Sequence, residues 1–152
     1  MEHIREGAAQ TGRSLDEMDI ACYIIFSVDE EGDAARQATK VLVAYYLRKI
    51  PNTDHFLHAG LDVPPLQNLQ NRLRQAHSED RFSDAIGNLP EDVVQALAVA
   101  GTPGKCLEGF KAYADACVKT LISNEVLGPD RLAAVALTSE RIRPALVERS
   151  SK

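Results

Sequence analysis

"GTPGKCLEGFKAYADACVKTLISN", residues 101–124, decides how this chain is read. Thr102 is placed to cap a helix, and Pro103 to sit in its first turn, where a missing N–H costs nothing. Cys106, Leu107, Phe110, Tyr113 and Ala114 recur at helical spacing and predict one buried face. "VKTLIS", residues 118–123, is short and partly β-branched and reads as a strand. A helix that feeds a strand in this way is a repeating unit of a parallel α/β sheet.

Working outward, "IACYIIFSV", residues 20–28, is apolar on both alternating faces, as a strand covered by helices on both sides must be. Asp29, Glu30, Glu31 and Asp33 crowd the start of the next helix, where its dipole favours carboxylates. Ala34, Ala38, Val41, Leu42 and Tyr45 are predicted to form its inner face, and Pro51 stops it. Residues 51–88 hold amphipathic pieces broken by Gly60, Pro64, Pro65 and Gly87, and read as two or three short helices without a strand. "LPEDVVQALAVAG" reads as one helix, with Val93, Val94 and Leu97 inward and Gly101 closing it. A short helix ending at Gly12 and the turn "RSLDEMD" precede all this. A helix starting at Pro129 and Asp130 follows it, and Pro144 is expected to end that helix near residue 143. The expected organisation is three blocks of one partial domain: 1–50, an insertion over 51–88, and 89–152. Two strands alone make no stable sheet, so partners for residues 20–28 and 118–123 are expected to be missing.

The 152 residues suit a single domain, and 45% hydrophobic with 26% charged residues is the balance of a soluble globular chain. Lys and Arg total 17 against 22 Asp and Glu, a net charge of −5 that disfavours nucleic acid and anionic membranes as partners. Cys22, Cys106 and Cys117 show no CxxC spacing and read as reduced thiols in a cytoplasmic protein. The start "MEHIREGAAQ" is charged and has no signal-like apolar region, and the longest apolar run is about half a membrane span.

Sharper chemistry is outweighed at each candidate. His55 and His58 share a helical face near Asp54 and Asp62, but no third ligand stands at a recognisable spacing, so surface histidines are the better reading. Cys106 lies on an apolar face, and burial makes a thiol inert; Cys117 is read as structural too. "GTPGK" offers amides and a Lys at a helix start, but Gly101 and Gly104 are too close for a phosphate loop and Cys106 replaces its Ser/Thr. The acidic cluster 29–33 suits a helix start without any cation. Lys40, Arg48 and Lys49 read as solvated charge.

The succession "IREGAAQTGRSLDEMDIACYIIFSVDEEGDAARQATKVLVAYYL", "LPEDVVQALAVAGTPGKCLEGFKAYADACV" and "GPDRLAAV" resembles the C-terminal part of the luciferase-like oxidoreductases. That family includes bacterial luciferase, alkane-type monooxygenases and F420-dependent methylenetetrahydromethanopterin reductase. The resemblance implies a (β/α)8 barrel of which this chain holds the last two strands, residues 20–28 and 118–123, and a helical insertion. Such a barrel needs about 250 residues. The resemblance also implies coenzyme F420 or FMN as cofactor, bound mostly by segments outside this chain. Active sites of such barrels lie at the C-terminal strand ends. Ser27, Asp29, Ser123, Asn124 and Glu125 are therefore the positions nearest any chemistry; Ser123, Asn124 and Glu125 are the weak cofactor-binding candidates at the barrel mouth, and no catalytic residue is assigned. The family's acidic residue after the Thr cap is replaced by Lys105, and its helix-ending Gly by Cys117.

Two functions follow as expectations. One is a hydride-transferring oxidoreductase or monooxygenase portion, incompetent alone, whose partner is the N-terminal barrel portion. The other is a non-catalytic helical module that pairs its strands with a second copy of itself.

Overall fold

The structure is a computed structural model and describes residues 1–51, 53, 60–123 and 127–150. Its centre is a three-stranded parallel sheet in the order β2-β1-β3. β1 (Ala21–Val28) is the middle strand, β2 is Ala98–Gly101 and β3 is Thr120–Ser123. The two flanking strands divide β1 between them. β3 pairs with its first half, Ala21 opposite Thr120 through Ile24 opposite Ser123. β2 pairs with its second half, Ile25 opposite Ala98 through Val28 opposite Gly101.

The expected two-strand sheet is thus corrected by β2. Residues 98–101 do not continue the helix; α5 (Glu91–Leu97) ends at Leu97 and the chain turns extended. "ALAVAG" carries no strand signal of its own, since Ala favours helix and four residues show no period. Pairing with β1 overrides that propensity.

The helices fall on both faces. α2 (Asp33–Lys49) and α5 pack with α3 (Val63–Ser78) and α4 (Phe82–Gly87) around Val43, Leu47, Leu66, Leu73 and Val94. Ile25 and Ala98 bring the sheet into contact with this cluster. On the opposite face, Ile24, Phe26, Val28 and Val99 meet α6 (Pro103–Asp115), α7 (Arg131–Leu137) and Ile142. The Phe26 and Phe110 rings lie 5.2 Å apart in a tilted pair, which favours them beyond their burial. Gln70 fastens α3 to the end of α2 by donating to the carbonyls of Leu47 (2.8 Å) and Ile50 (2.5 Å).

Local signals held at several ends. Thr102 caps α6, accepting from the Lys105 N–H at 3.4 Å. Asp130 caps α7, accepting from Leu132 and Ala133. Gly12 takes φ +69 after α1 (Glu2–Gln10), and Cys117 takes φ +62 at the position where the family pattern has Gly.

Three further expectations are corrected. The inner face of α2 is Ala35, Thr39, Val43, Ala44 and Leu47, not the row through Ala34, Ala38, Val41 and Tyr45. Apolar residues stand at nearly every phase of this helix, so periodicity leaves the face open. Ala114 is exposed, while its neighbour Tyr113 still packs on the core. Pro144 does not end the last helix: a π turn, Thr138–Ile142, leads directly into α8 (Arg143–Ser150). Proline lacks the N–H for the residue four before it and its ring crowds that carbonyl. A wider turn just upstream relieves both.

Candidate functional site

In a parallel sheet with helices on its faces, ligands bind beyond the carboxyl ends of the strands. Here those ends are tied together by backbone. The Asp29 N–H donates to the Gly101 carbonyl at 3.2 Å, and the Val28 N–H to the Leu127 carbonyl at 3.0 Å. The loops after all three strands are therefore laced to the end of β1.

Asp29 is turned to structural use. Its carboxylate accepts from the N–H groups of Gly32 (2.6 Å) and Ala35 (3.3 Å) and closes the first turn of α2. Gly32 makes that turn at φ +88, and a Cβ there would stand 2.9 Å from the Thr102 nitrogen. Only glycine lets the start of α2 lie this close to the end of β2. Three cations near this end are paired. Arg36 bridges Asp33 and, at 3.1 Å, Glu91; Arg141 meets Glu30 at 2.7 Å; Lys105 meets Glu108 at 2.8 Å.

Ser27 is fully buried and its hydroxyl has no hydrogen-bond partner among the described residues. It is not reachable as a surface group. Behind it the Cys106 thiol, also fully buried, lies 3.7 Å from the carbonyls of Ser27 and Gly101. Burial, with the nearby Asp29 charge, pushes this thiol's pKa up to about 12, so Cys106 is neutral and inert, as its place on the helix predicts. Ser123 is exposed at the end of β3. Asn124 and Glu125 lie outside the described residues, as do Asp54, His55 and His58. Asp62 precedes α3 without a side-chain capping bond. No cluster of metal-ligating side chains occurs among the described residues. Arg48 stacks on Tyr45 and Phe82, and Lys49 donates to the Tyr45 hydroxyl, so both are engaged with aromatic rings. Lys40 is buried along α2 rather than solvated.

The sequence reading missed a feature at the other end of the sheet. Below the start of β2, Tyr23, Ile25, Tyr46, Ile50, Leu97 and Tyr113 line an apolar cleft of about 300 Å³. Burial raises the Tyr113 hydroxyl's pKa, so it stays a neutral donor. A second cleft, about 540 Å³, lies between α6, the start of β3 and α8, lined by Phe110, Val118, Leu121 and Leu146. No sequence signal marked the first cleft, because Tyr is favoured in strands on propensity alone and the residues that line it are far apart in the chain.

Known proteins can now be set beside this geometry. Residues 1–120 match the family model described as luciferase-like monooxygenase. The 5,10-methylenetetrahydromethanopterin reductase of Methanopyrus kandleri is 32% identical over 145 residues, 95% of this chain and 40% of that protein. The enzyme of the same name from Archaeoglobus fulgidus is 26% identical, over 95% of this chain and 43% of its own length. The solved structure of the coenzyme F420-dependent tetrahydromethanopterin reductase from Methanopyrus kandleri superposes with a TM-score of 0.84 at 31% identity, covering 95% of this chain and 40% of that one. The chain thus spans about two fifths of the relatives it matches. No described helix is long and apolar enough to cross a membrane.

Proposed function

The chain belongs to the luciferase-like monooxygenase family, and on that footing we propose that it is the C-terminal portion of a coenzyme F420-dependent oxidoreductase of the methylenetetrahydromethanopterin reductase kind. The observation that carries this reading is the agreement of sequence and backbone with an F420-dependent reductase over 95% of the chain, at a TM-score of 0.84. F420 is preferred to FMN because the matching solved structure is of a coenzyme F420-dependent enzyme, and reduction to monooxygenation because the curated relatives are reductases. The compartment proposed is the cytoplasm, and the fold completed is a (β/α)8 barrel.

The described residues do not by themselves fit the cofactor. F420 is an anion, and the cations at the strand ends, Arg36, Arg141 and Lys105, are already held by carboxylates. Asp29 is spent on the start of α2, and Ser27 is sealed beneath the surface. This portion therefore shapes and closes one wall of the site, and the rest of the barrel holds the cofactor. Alone it is inactive.

The test is reconstitution. The chain is mixed with the part of the Methanopyrus kandleri reductase that precedes the matched region, and oxidation of reduced F420 by the methylene substrate is followed by absorbance. Activity in the mixture, with none in either part alone and no F420 binding by this chain, is the expected result. Tight F420 binding by the chain alone, or a stable mixture without turnover, would overturn the proposal.

A further inference from the structure

We propose that the outer face of α2 is a homodimer interface, on which two copies of this chain lay this helix antiparallel against itself. Ala34, Ala38, Val41, Leu42 and Tyr45 follow one another at the spacing of a single helical face. That face is opposite the buried one. Ala35, Thr39, Val43, Ala44 and Leu47 turn inward. Ala34, Val41 and Tyr45 are exposed, and Ala38 and Leu42 half-buried.

The charges of α2 lie on the wrong side for a helix that ends at solvent. Such a helix carries its charged residues outward. Here Lys40 is buried, and Arg36 turns to Glu91 at 3.1 Å. Between Asp33 and Arg48 the outer face holds no charge, and Gln37 is its one polar residue. Val41 stands 52% exposed in the middle of it. Single exposed apolar residues are ordinary, but a row of five along about 16 Å of helix is a surface to be covered. The row points away from the sheet, so strands added beside β2 or β3 leave it bare.

Shape and charge along the row select a second copy as its occupant. The row is slight at its start, where Ala34 and Ala38 stand, and bulky at its end, where the Lys49 ammonium lies 4.2 Å from the centre of the Tyr45 ring. A twofold axis at the level of Thr39 and Lys40 sets Ala34 of one copy against Tyr45 of the other, and Ala38 against Val41. Small then meets large at each level, as a self-complementary patch requires. The charged ends agree with this direction. Glu30 is held by Arg141 and Asp33 by Arg36, while Glu31 is exposed just before the helix. Arg48 and Lys49 occupy its last turn. The same axis brings Glu31 of one copy beside Arg48 and Lys49 of the other. A parallel pairing would oppose like charges at both ends and Tyr45 to Tyr45. The interface needs neither the cofactor nor the rest of a barrel. One helical face is at the small end for a stable dimer, so a dissociation constant of about 10 µM is expected.

The test is self-association of the 152-residue chain, followed by light scattering and sedimentation from about 1 µM to about 500 µM. A monomer–dimer equilibrium is expected. Val41→Glu sets a carboxylate at the centre of the row and is expected to weaken the dimer about a hundredfold. Its side chain is half exposed in the monomer, so circular dichroism melting is expected to show an intact fold. Ala38→Glu is the second variant if Val41→Glu fails to fold. Lys49→Glu is expected to weaken the dimer about tenfold, and Glu31→Lys combined with Lys49→Glu to restore it, which damage to the fold cannot do. Three results would each overturn the inference: a monomer throughout this range, a dimer unmoved by folded Val41→Glu, or a double variant no tighter than Lys49→Glu alone.

Discussion

The two halves of β1 are made of the same kinds of residue and have opposite surroundings. Residues 25–28 have β2 at their side, with α2 and α5 on one face and α6 and α7 on the other. Residues 21–24 have β3 at their side, but Tyr23 stands 76% exposed in the middle of the strand. Hydropathy along "ACYIIFSV" does not separate the halves. A run that reads as buried on both faces describes a finished assembly, and four residues of β2 finish only half of it.

The comparison breaks first if the two halves cost the same to damage. Phe26→Ala removes a ring packed on Phe110 in the core and is expected to lower stability by about 3–5 kcal/mol in urea unfolding. Tyr23→Ala, in the exposed half, is expected to stay within about 0.5 kcal/mol. Equal losses would mean that the lower half is already part of the core.

Close packing at the finished end gives the next effect. A Cβ on Gly128 would stand 2.7 Å from the Ala134 Cβ and 2.7 Å from the Val28 carbonyl oxygen. Gly128→Ala is therefore expected to cost about 1–3 kcal/mol, read as a lowered melting temperature. A neutral result would show the loop after β3 to be loosely laid on the end of β1.

The thiols sharpen the contrast through pH. The Cys106 pKa rises from 9.0 to about 12 on folding, so its stability contribution is complete below pH 9 and is lost as pH climbs toward 12. In that window the unfolded chain has released the proton and the folded chain still holds it. Stability is expected to fall by about 1.4 kcal/mol per pH unit there, and Cys106→Ala is expected to remove this slope. In native labelling with a thiol reagent, Cys117 is expected to react and Cys106 to stay silent, since one is exposed and the other buried.

The smallest effect lies at the entry to β3. Cys117 holds φ +62, a conformation that costs a side chain about 1 kcal/mol. Cys117→Gly is expected to raise stability by about that amount in thermal unfolding. No gain would place the strain elsewhere in the turn.

Much of the candidate site was legible where a single residue answers a local need. Thr102 and Asp130 cap because their oxygens reach the next amides, and Cys117 sits left-handed because the chain must reverse before β3. Asp29 read as a helix-start carboxylate, and its bonds to Gly32 and Ala35 bear that out. Placement at the strand ends also followed from the parallel reading. That Ser27 is sealed, and that Arg36 and Arg141 are already paired, was not legible, because both facts depend on chains of residues far apart in sequence.

The sequence alone determined the parallel α/β character, the long helix after β1, the caps of α6 and α7, and the likeness to luciferase-like proteins. Each rests on local propensity or on an ordered series of motifs. Only the tertiary structure decided that "AVAG" is a strand, which face of α2 turns inward, and that the last helix runs on past Pro144. Four residues of weak preference take their conformation from the strand they pair with, a helix with apolar residues at several phases takes its inner face from its neighbours, and a π turn makes room for a proline ring.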